Sequence, residues 1–204
     1  MQKITTVIFD LGNVLIRWDP KRVFRTIFKT EAEVEKFLAE ICTMEWNEQQ
    51  DAGRTIAEAN RVLIEKYPLY RPEIEAYYGR WTEMLNGAIE GTVDILENLK
   101  ESRQYRLYAL TNWSAELFPE ALKRFEFLQH FKEILVSGKE GMKKPSREIY
   151  ELALRRFDID PTTAVFIDDS AKNIAGAEAV GIKGIHFTSP EQLREALNDL
   201  GIKV

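Results

Sequence analysis

Four short, unbroken apolar runs punctuate the chain, at residues 7–9, 107–110, 134–136 and 165–167, and a weaker fifth lies at 185–187. Runs this short and this uniformly apolar predict buried strands. Between them apolar residues return at helical spacing: Val93, Leu96 and Leu99, then Ile149, Leu152, Ala153 and Leu154, then Ile174, Ala177 and Val180. Gly181 predicts a C-cap for the third stripe. Ser189 and Pro190, ahead of Leu193 and Leu197, predict the N-cap and first turn of a last helix. Strand alternating with helix about five times predicts an α/β fold, a doubly wound parallel sheet with a Rossmann-like core.

The rhythm changes between Ile16 and about Leu85, where no strand is predicted and helix starts follow one another. Asp19-Pro20 reads as an N-cap with a first-turn proline. Thr30 with Glu33, and Thr55 with Glu58, have capping-box spacing. Phe24, Ile27 and Phe28, then Val34, Phe37, Leu38 and Ile41, give amphipathic faces. Trp46, Tyr67, Tyr70, Tyr77, Tyr78 and Trp81 supply a small bundle core. The expected organisation is an α/β core from residues 1–16 and 86–204, with a small helical cap inserted at 17–85. An insertion after the first strand would sit over the sheet's C-terminal edge as a lid.

Composition narrows the function classes. The chain has 204 residues, 45% hydrophobic and 30% charged, as in ordinary globular proteins. A net charge of −5 argues against nucleic-acid or anionic-membrane partners. No run approaches the roughly 18 apolar residues of a membrane span. The single cysteine, Cys42, excludes an intrachain disulfide, fits a reducing compartment and is expected to pack in a helix. With no leader-type pattern, a cytoplasmic location is expected.

Asp10 ends the first apolar run, and Asp168 and Asp169 end the fourth. Carboxylates at the C-terminal ends of parallel strands belong at the crevice where such sheets bind ligands. One can attack a phosphoryl or alkyl centre while the others hold a metal. Four motifs follow in order: Phe9-Asp10-Leu11-Gly12-Asn13-Val14; Ala109-Leu110-Thr111-Asn112-Trp113; Gly141-Met142-Lys143-Lys144-Pro145; and Phe166-Ile167-Asp168-Asp169, continuing to Ala177. Together they resemble the haloacid dehalogenase superfamily, most of whose members are phosphatases. The resemblance implies that Asp10 is the nucleophile, forming an aspartyl-phosphate that water hydrolyses. It implies Mg²⁺ held by Asp10, the Gly12 carbonyl and Asp169, with Asp168 acting directly or through a water. Thr111 and Asn112 would contact the phosphoryl oxygens, and Lys144 would neutralise developing charge and hold Asp10. The neighbouring Lys143 would face solvent.

One position departs from the pattern. Most phosphatases of this superfamily carry a second Asp two residues after the nucleophile, as general acid and then base; here Gly12 stands there. The Asp-Leu-Gly-Asn form resembles the branch containing bacterial glucose-1-phosphate phosphatases. A sugar 1-phosphate leaves as a hemiacetal oxyanion, less basic than an alkoxide, and depends less on a strong acid. Asn13, a cap carboxylate such as Glu48 or Asp51, or a bound water could substitute. The expected substrate is a small phosphorylated metabolite, sugar phosphates first, and the oligomeric state is left open.

Two other readings are carried. A metal-independent 2-haloacid dehalogenase would also use Asp10, Thr111, Lys144 and Tyr150, but that branch has small uncharged residues in place of Asp168 and Asp169. A phosphate-binding regulatory domain would keep the motifs without turnover. Asn173 either orients the acidic loop or sits in its helix, Tyr150 reads as core, and His130 and His186 read as structural. Arg17, Lys21, Arg22 and Arg25 place cations near the first junction, and Trp18 could stack on a sugar ring. Glu45 to Glu48, ahead of Asp51, read as a helix end dropping polar groups into the pocket.

Overall fold

The computed structural model describes residues 3–204. Its strands are β1 (Thr6–Phe9), β2 (Ile16–Trp18), β3 (Leu85–Ala88), β4 (Arg106–Thr111), β5 (Glu133–Val136), β6 (Ala164–Asp168) and β7 (Lys183–His186). Five form one parallel sheet in the order β5-β4-β1-β6-β7, and β2 pairs with β3 in a separate antiparallel ribbon. Every residue of β1 is buried, as a central strand covered on both faces requires.

Alternation along β1 divides the interior in two. Val7 and Phe9 pack with Leu107, Val165 and Ile167 on one face, while Ile8 packs with Tyr108, Leu110 and Phe166 on the other. The first face is closed by α7 (Glu90–Ser102) and α12 (Pro190–Asp199) through Leu96, Leu99, Leu193 and Leu197. The second is closed by α10 (Arg147–Phe157) and α11 (Ala171–Glu178) through Ile149, Tyr150, Ala153 and Ala177. Each fully buried aliphatic or aromatic side chain contributes about 1.5–3 kcal/mol by leaving water.

Six helices lie between β2 and β3: α1 (Lys21–Phe24), α2 (Glu31–Glu40), α3 (Met44–Asp51), α4 (Ile56–Lys66), α5 (Arg71–Gly79) and α6 (Trp81–Met84). Phe24, Phe37, Trp46, Tyr77, Tyr78 and Trp81 are buried among them. Of the aromatics expected in this core, Tyr67 is only partly buried and Tyr70 is exposed, because they sit at the short turn Pro68–Tyr70 that joins α4 to α5. Thr30 and Glu33 form a complete capping box, whereas Thr55 caps α4 alone because the Glu58 carboxylate pairs with Arg61. Asp19 accepts from the Lys21 N–H at 2.9 Å, and Ser189 caps α12. Gly181 (φ 89°) ends the α11 segment: its N–H reaches the Glu178 carbonyl and the next N–H reaches Ala177.

Three expectations are corrected. The β2–β3 ribbon was not expected; it straddles both ends of the helical stretch, and its strands are too short to print a periodicity. The fifth strand lies at Lys183–His186, because pairing begins where Lys183 stands opposite Val165. Cys42 is buried just beyond α2 rather than within a helix, and burial pushes its thiol well above the ordinary range. Two short helices complete the described core, α8 (Phe118–Arg124) and α9 (Ser137–Glu140). Among the described residues no helix is long and apolar enough to cross a membrane.

Candidate active site

Register brings three strand ends together. Phe9 of β1 stands opposite Ala109 of β4 and Ile167 of β6, so Asp10 emerges beside Asp168, with Thr111 one step further along β4. The Asp10 N–H donates to the Ile167 carbonyl at 2.8 Å. One carboxylate oxygen from each of Asp10, Asp168 and Asp169 lies within 4.8 Å of the others.

Lys144 enters this group from the loop between α9 and α10, with its side chain wholly buried. Its Nζ lies 2.9 Å from Asp10 Oδ1, 2.7 Å from Asp168 Oδ2 and 2.9 Å from the Leu110 carbonyl. An ammonium has three protons, and three acceptors meet them. Lys143, by contrast, turns outward and pairs with Glu48 of α3. Asn112 spans the same loop: its Oδ1 accepts from the Lys144 N–H at 2.9 Å and its Nδ2 donates to the Lys144 carbonyl at 3.0 Å. Asn112 thus holds the lysine loop with the amide expected to face a phosphoryl group.

The two adjacent acids differ sharply. Asp168 is fully buried and accepts from the Ser170 N–H (2.8 Å), Asn173 Nδ2 (2.9 and 3.0 Å) and Lys144. Asp169 is exposed, and its carbonyl accepts from His186 Nε2 at 2.9 Å, which places that ring's proton on Nε2. Asn173 therefore orients the acidic loop, and His186 has a partner that sequence reading missed. Tyr150 is buried and donates to the Asn173 carbonyl at 2.7 Å. Asp10 Oδ1 accepts from the Leu11 N–H at 2.7 Å as well as from Lys144. No described residue donates to Asp10 Oδ2. Thr111 Oγ1 is buried at the end of β4 with no partner among the described residues.

Charge is out of balance here. Burial pushes the Asp10 carboxyl up to about 7; Lys144 opposes this, and Asp168 and Asp169 add to it. Burial raises Asp169 too. Burial works against the Lys144 ammonium, yet Asp10 and Asp168 hold its pKa above the ordinary lysine value. Three carboxylates facing one cation, with oxygen donors from Asp10, Asp169 and the Gly12 loop, fit a hard divalent ion.

A cavity of about 210 Å³ opens over the cluster. Asp10, Gly12, Asn112 and Asp169 line its floor, and Trp18, Met44, Asn47, Glu48, Asp51 and Trp81 line it from the helical side. Thr111, Lys144 and Asp168 lie beneath that surface. The Trp18 and Trp81 rings stand 5.5 Å apart, Trp81 and Trp113 6.5 Å, and all three indole N–H groups lack a partner among the described residues. Glu45 to Glu48 sit within α3 rather than at its end; only Asp51 closes it. A shallower recess of about 850 Å³, lined by Arg22, Arg25 and Arg124, shares no residue with this cavity and holds no carboxylate cluster. The cations placed near the first junction are engaged away from this cavity: Lys21 and Arg25 on Glu31, Arg22 on the Glu83 carbonyl, Arg17 on the Ala88 carbonyl.

The chain is similar to known proteins over most of its length. A sesquiterpene phosphatase of Aspergillus oryzae is 31% identical over 182 residues, 89% of this chain and 88% of that protein. A drimenol cyclase of Aspergillus calidoustus is 24% identical across 97% of this chain, which spans only 36% of that protein. A HAD family enzyme of Bacteroides thetaiotaomicron, solved in complex with magnesium and inorganic phosphate, superposes with a TM-score of 0.69. It is 28% identical, over 91% of this chain and 95% of that one. The haloacid dehalogenase-like hydrolase profile matches residues 4–181. This chain belongs to the haloacid dehalogenase-like hydrolase family.

Proposed function

We propose that this protein is a Mg²⁺-dependent phosphomonoesterase that hydrolyses small phosphorylated metabolites, sugar phosphates first among them, through an aspartyl-phosphate at Asp10. The observation that carries the reading is Lys144 set between Asp10 and Asp168, with Asp169 alongside, at the C-terminal ends of β1 and β6. The phosphatase relative and the magnesium–phosphate complex of the Bacteroides enzyme support it.

Asp10, Asp169 and the Gly12 carbonyl would hold Mg²⁺. When bound, the ion supplies positive charge that favours the ionised Asp10 and offsets repulsion between carboxylates and phosphate. Asp10 Oδ2, free of hydrogen bonds from the described residues, attacks phosphorus while Lys144 and the Leu11 N–H fix Oδ1. Thr111 Oγ1, a buried donor with no protein acceptor, serves a phosphoryl oxygen. Asp168 is saturated by four donor contacts and serves to hold Lys144 rather than to ligate directly. The helical segment acts as a cap, and its tryptophan wall and polar α3 face suit the apolar and hydroxyl faces of a sugar.

The dehalogenase reading is weaker because burial lifts the Asp10 carboxyl to about 7 and Asp168 and Asp169 add to that rise, a balance that a metal cation offsets. Phosphate release from a panel of sugar and nucleotide monophosphates, with Mg²⁺ and with EDTA, tests the proposal. EDTA-sensitive release supports it. Halide release from 2-haloacids without phosphate release overturns it.

A further inference from the structure

Resting on the phosphatase reading, we propose that Asp51, carried by the helical cap, is the catalytic acid and base that this chain lacks at position 12. Packing does not force the glycine there: a Cβ built on Gly12 meets nothing within 4 Å, and its φ is not positive. The space beside the nucleophile is open, and Asp51 of α3 lines the same cavity as Asp10 and Gly12.

The end of α3 is fixed against the core, so Asp51 is not a wandering surface acid. Ser137 Oγ donates to the Asp51 carbonyl at 2.5 Å. Gly53, in a left-handed turn (φ 99°), lets the chain approach so closely that an added Cβ would stand 3.2 Å from Gly141 Cα and 3.4 Å from the Gly138 carbonyl. One turn earlier, Glu48 pairs with Lys143. These three ties reach the segment that leads into Lys144.

Elimination among the cavity residues points to the same group. Asn13, Asn47, Asn112 and Asn173 carry amides, which do not transfer protons near neutral pH. Glu48 is committed to Lys143, and Asp10 and Asp169 to the phosphoryl and metal chemistry. The Asp51 carboxylate has no hydrogen bond or ion pair among the described residues. The charged groups facing it are Glu48 on its own helix, Lys143 and Lys144 from the adjoining loop, and Asp10 and Asp169 across the cavity. Burial lifts its carboxyl to about 7, with Glu48 adding and the two lysines opposing, so acid and base forms are both accessible at neutral pH.

The steps balance. As Asp10 Oδ2 bonds to phosphorus, the bond to the leaving oxygen breaks, and that oxygen takes its electron pair and the Asp51 proton. Water then attacks phosphorus and gives a proton to the Asp51 carboxylate. The bond to Asp10 breaks, releasing phosphate and restoring both acids.

The test compares glucose 6-phosphate, whose alkoxide needs a proton, with p-nitrophenyl phosphate, whose leaving group does not, using the full chain with Mg²⁺. Asp51→Asn should lower kcat/KM for glucose 6-phosphate about 10²- to 10⁴-fold. Its p-nitrophenolate burst should slow less than about tenfold, with steady-state turnover then limited by dephosphorylation. Adding Gly12→Asp to that variant should recover glucose 6-phosphate turnover. Equal losses on both substrates in the burst, or a rise in KM alone, would overturn the role of Asp51 and leave the phosphatase reading standing. A wild-type chain that turns over neither phosphate would overturn both.

Discussion

Lys144 Nζ stands 2.7 Å from Asp168 Oδ2, and neither side chain touches solvent. The same ammonium lies 2.9 Å from Asp10, so one buried cation fixes two carboxylates. Removing it strands both. Lys144→Met should destabilise the fold by about 3–5 kcal/mol, the cost of breaking a buried pair from one side. Chemical denaturation checks this; a loss below about 1 kcal/mol would mean that Asp10 and Asp168 find other partners.

Asn173 grips Asp168 with its amide at 2.9 and 3.0 Å, and that amide makes no hydrogen bond to Asp10 or Lys144 among the described residues. Asn173→Ala should lower kcat about 10- to 100-fold with little change in KM, as lost outer partners of such sites do. Asn173→Asp should not rescue it, because a second carboxylate would face the buried Asp168. Rescue by Asp would show that geometry alone matters at this position.

The acidic cluster predicts a metal response with a readout besides turnover. Mg²⁺ should raise the Tm of the wild-type chain, since binding to the folded state alone adds stability. Replacing Asp168 and Asp169 together with Asn should abolish that rise along with most activity. An unchanged Mg²⁺ shift in Tm would place the ion elsewhere.

Asp51 gives a pH signature of opposite sign to an ordinary salt-bridged acid. Its carboxyl is lifted from 3.8 to about 7, so between those values the folded chain keeps a proton that the unfolded chain has lost. Its contribution to stability therefore falls as pH rises through that window. Asp51→Asn removes the penalty and should raise Tm relative to wild type at pH 8, with the advantage gone near pH 4. A Tm difference independent of pH would contradict the raised carboxyl.

Much of this was legible in the sequence because strand ends are. Unbroken apolar runs located β1, β4 and β6, and the residues just past them, Asp10, Thr111 and Asp168, had to converge once β1 lay between the other two. Tertiary pairing was not legible. The Asn112 side chain reads as a phosphate contact until the fold brings it to Lys144, 32 residues away. Glu48 and Asp51 share one face of α3, and only the Lys143 ion pair separates a committed carboxylate from a free one. Arg17 to Arg25 looked available because their partners, Glu31 and the Glu83 and Ala88 carbonyls, are fixed by the folded cap and ribbon. The ribbon itself joins segments about 70 residues apart through strands of three and four residues, too short for a pattern.

The central claim is a covalent phosphoryl group on Asp10. The most direct measurement is mass spectrometry of the Asp10 peptide after acid quench during turnover of a sugar phosphate with Mg²⁺. The account predicts a phosphoryl adduct on that peptide in the wild-type chain and none in Asp10→Asn, which should retain its fold but not turn over. Phosphate release that proceeds in Asp10→Asn, or an adduct on any other residue, would contradict it.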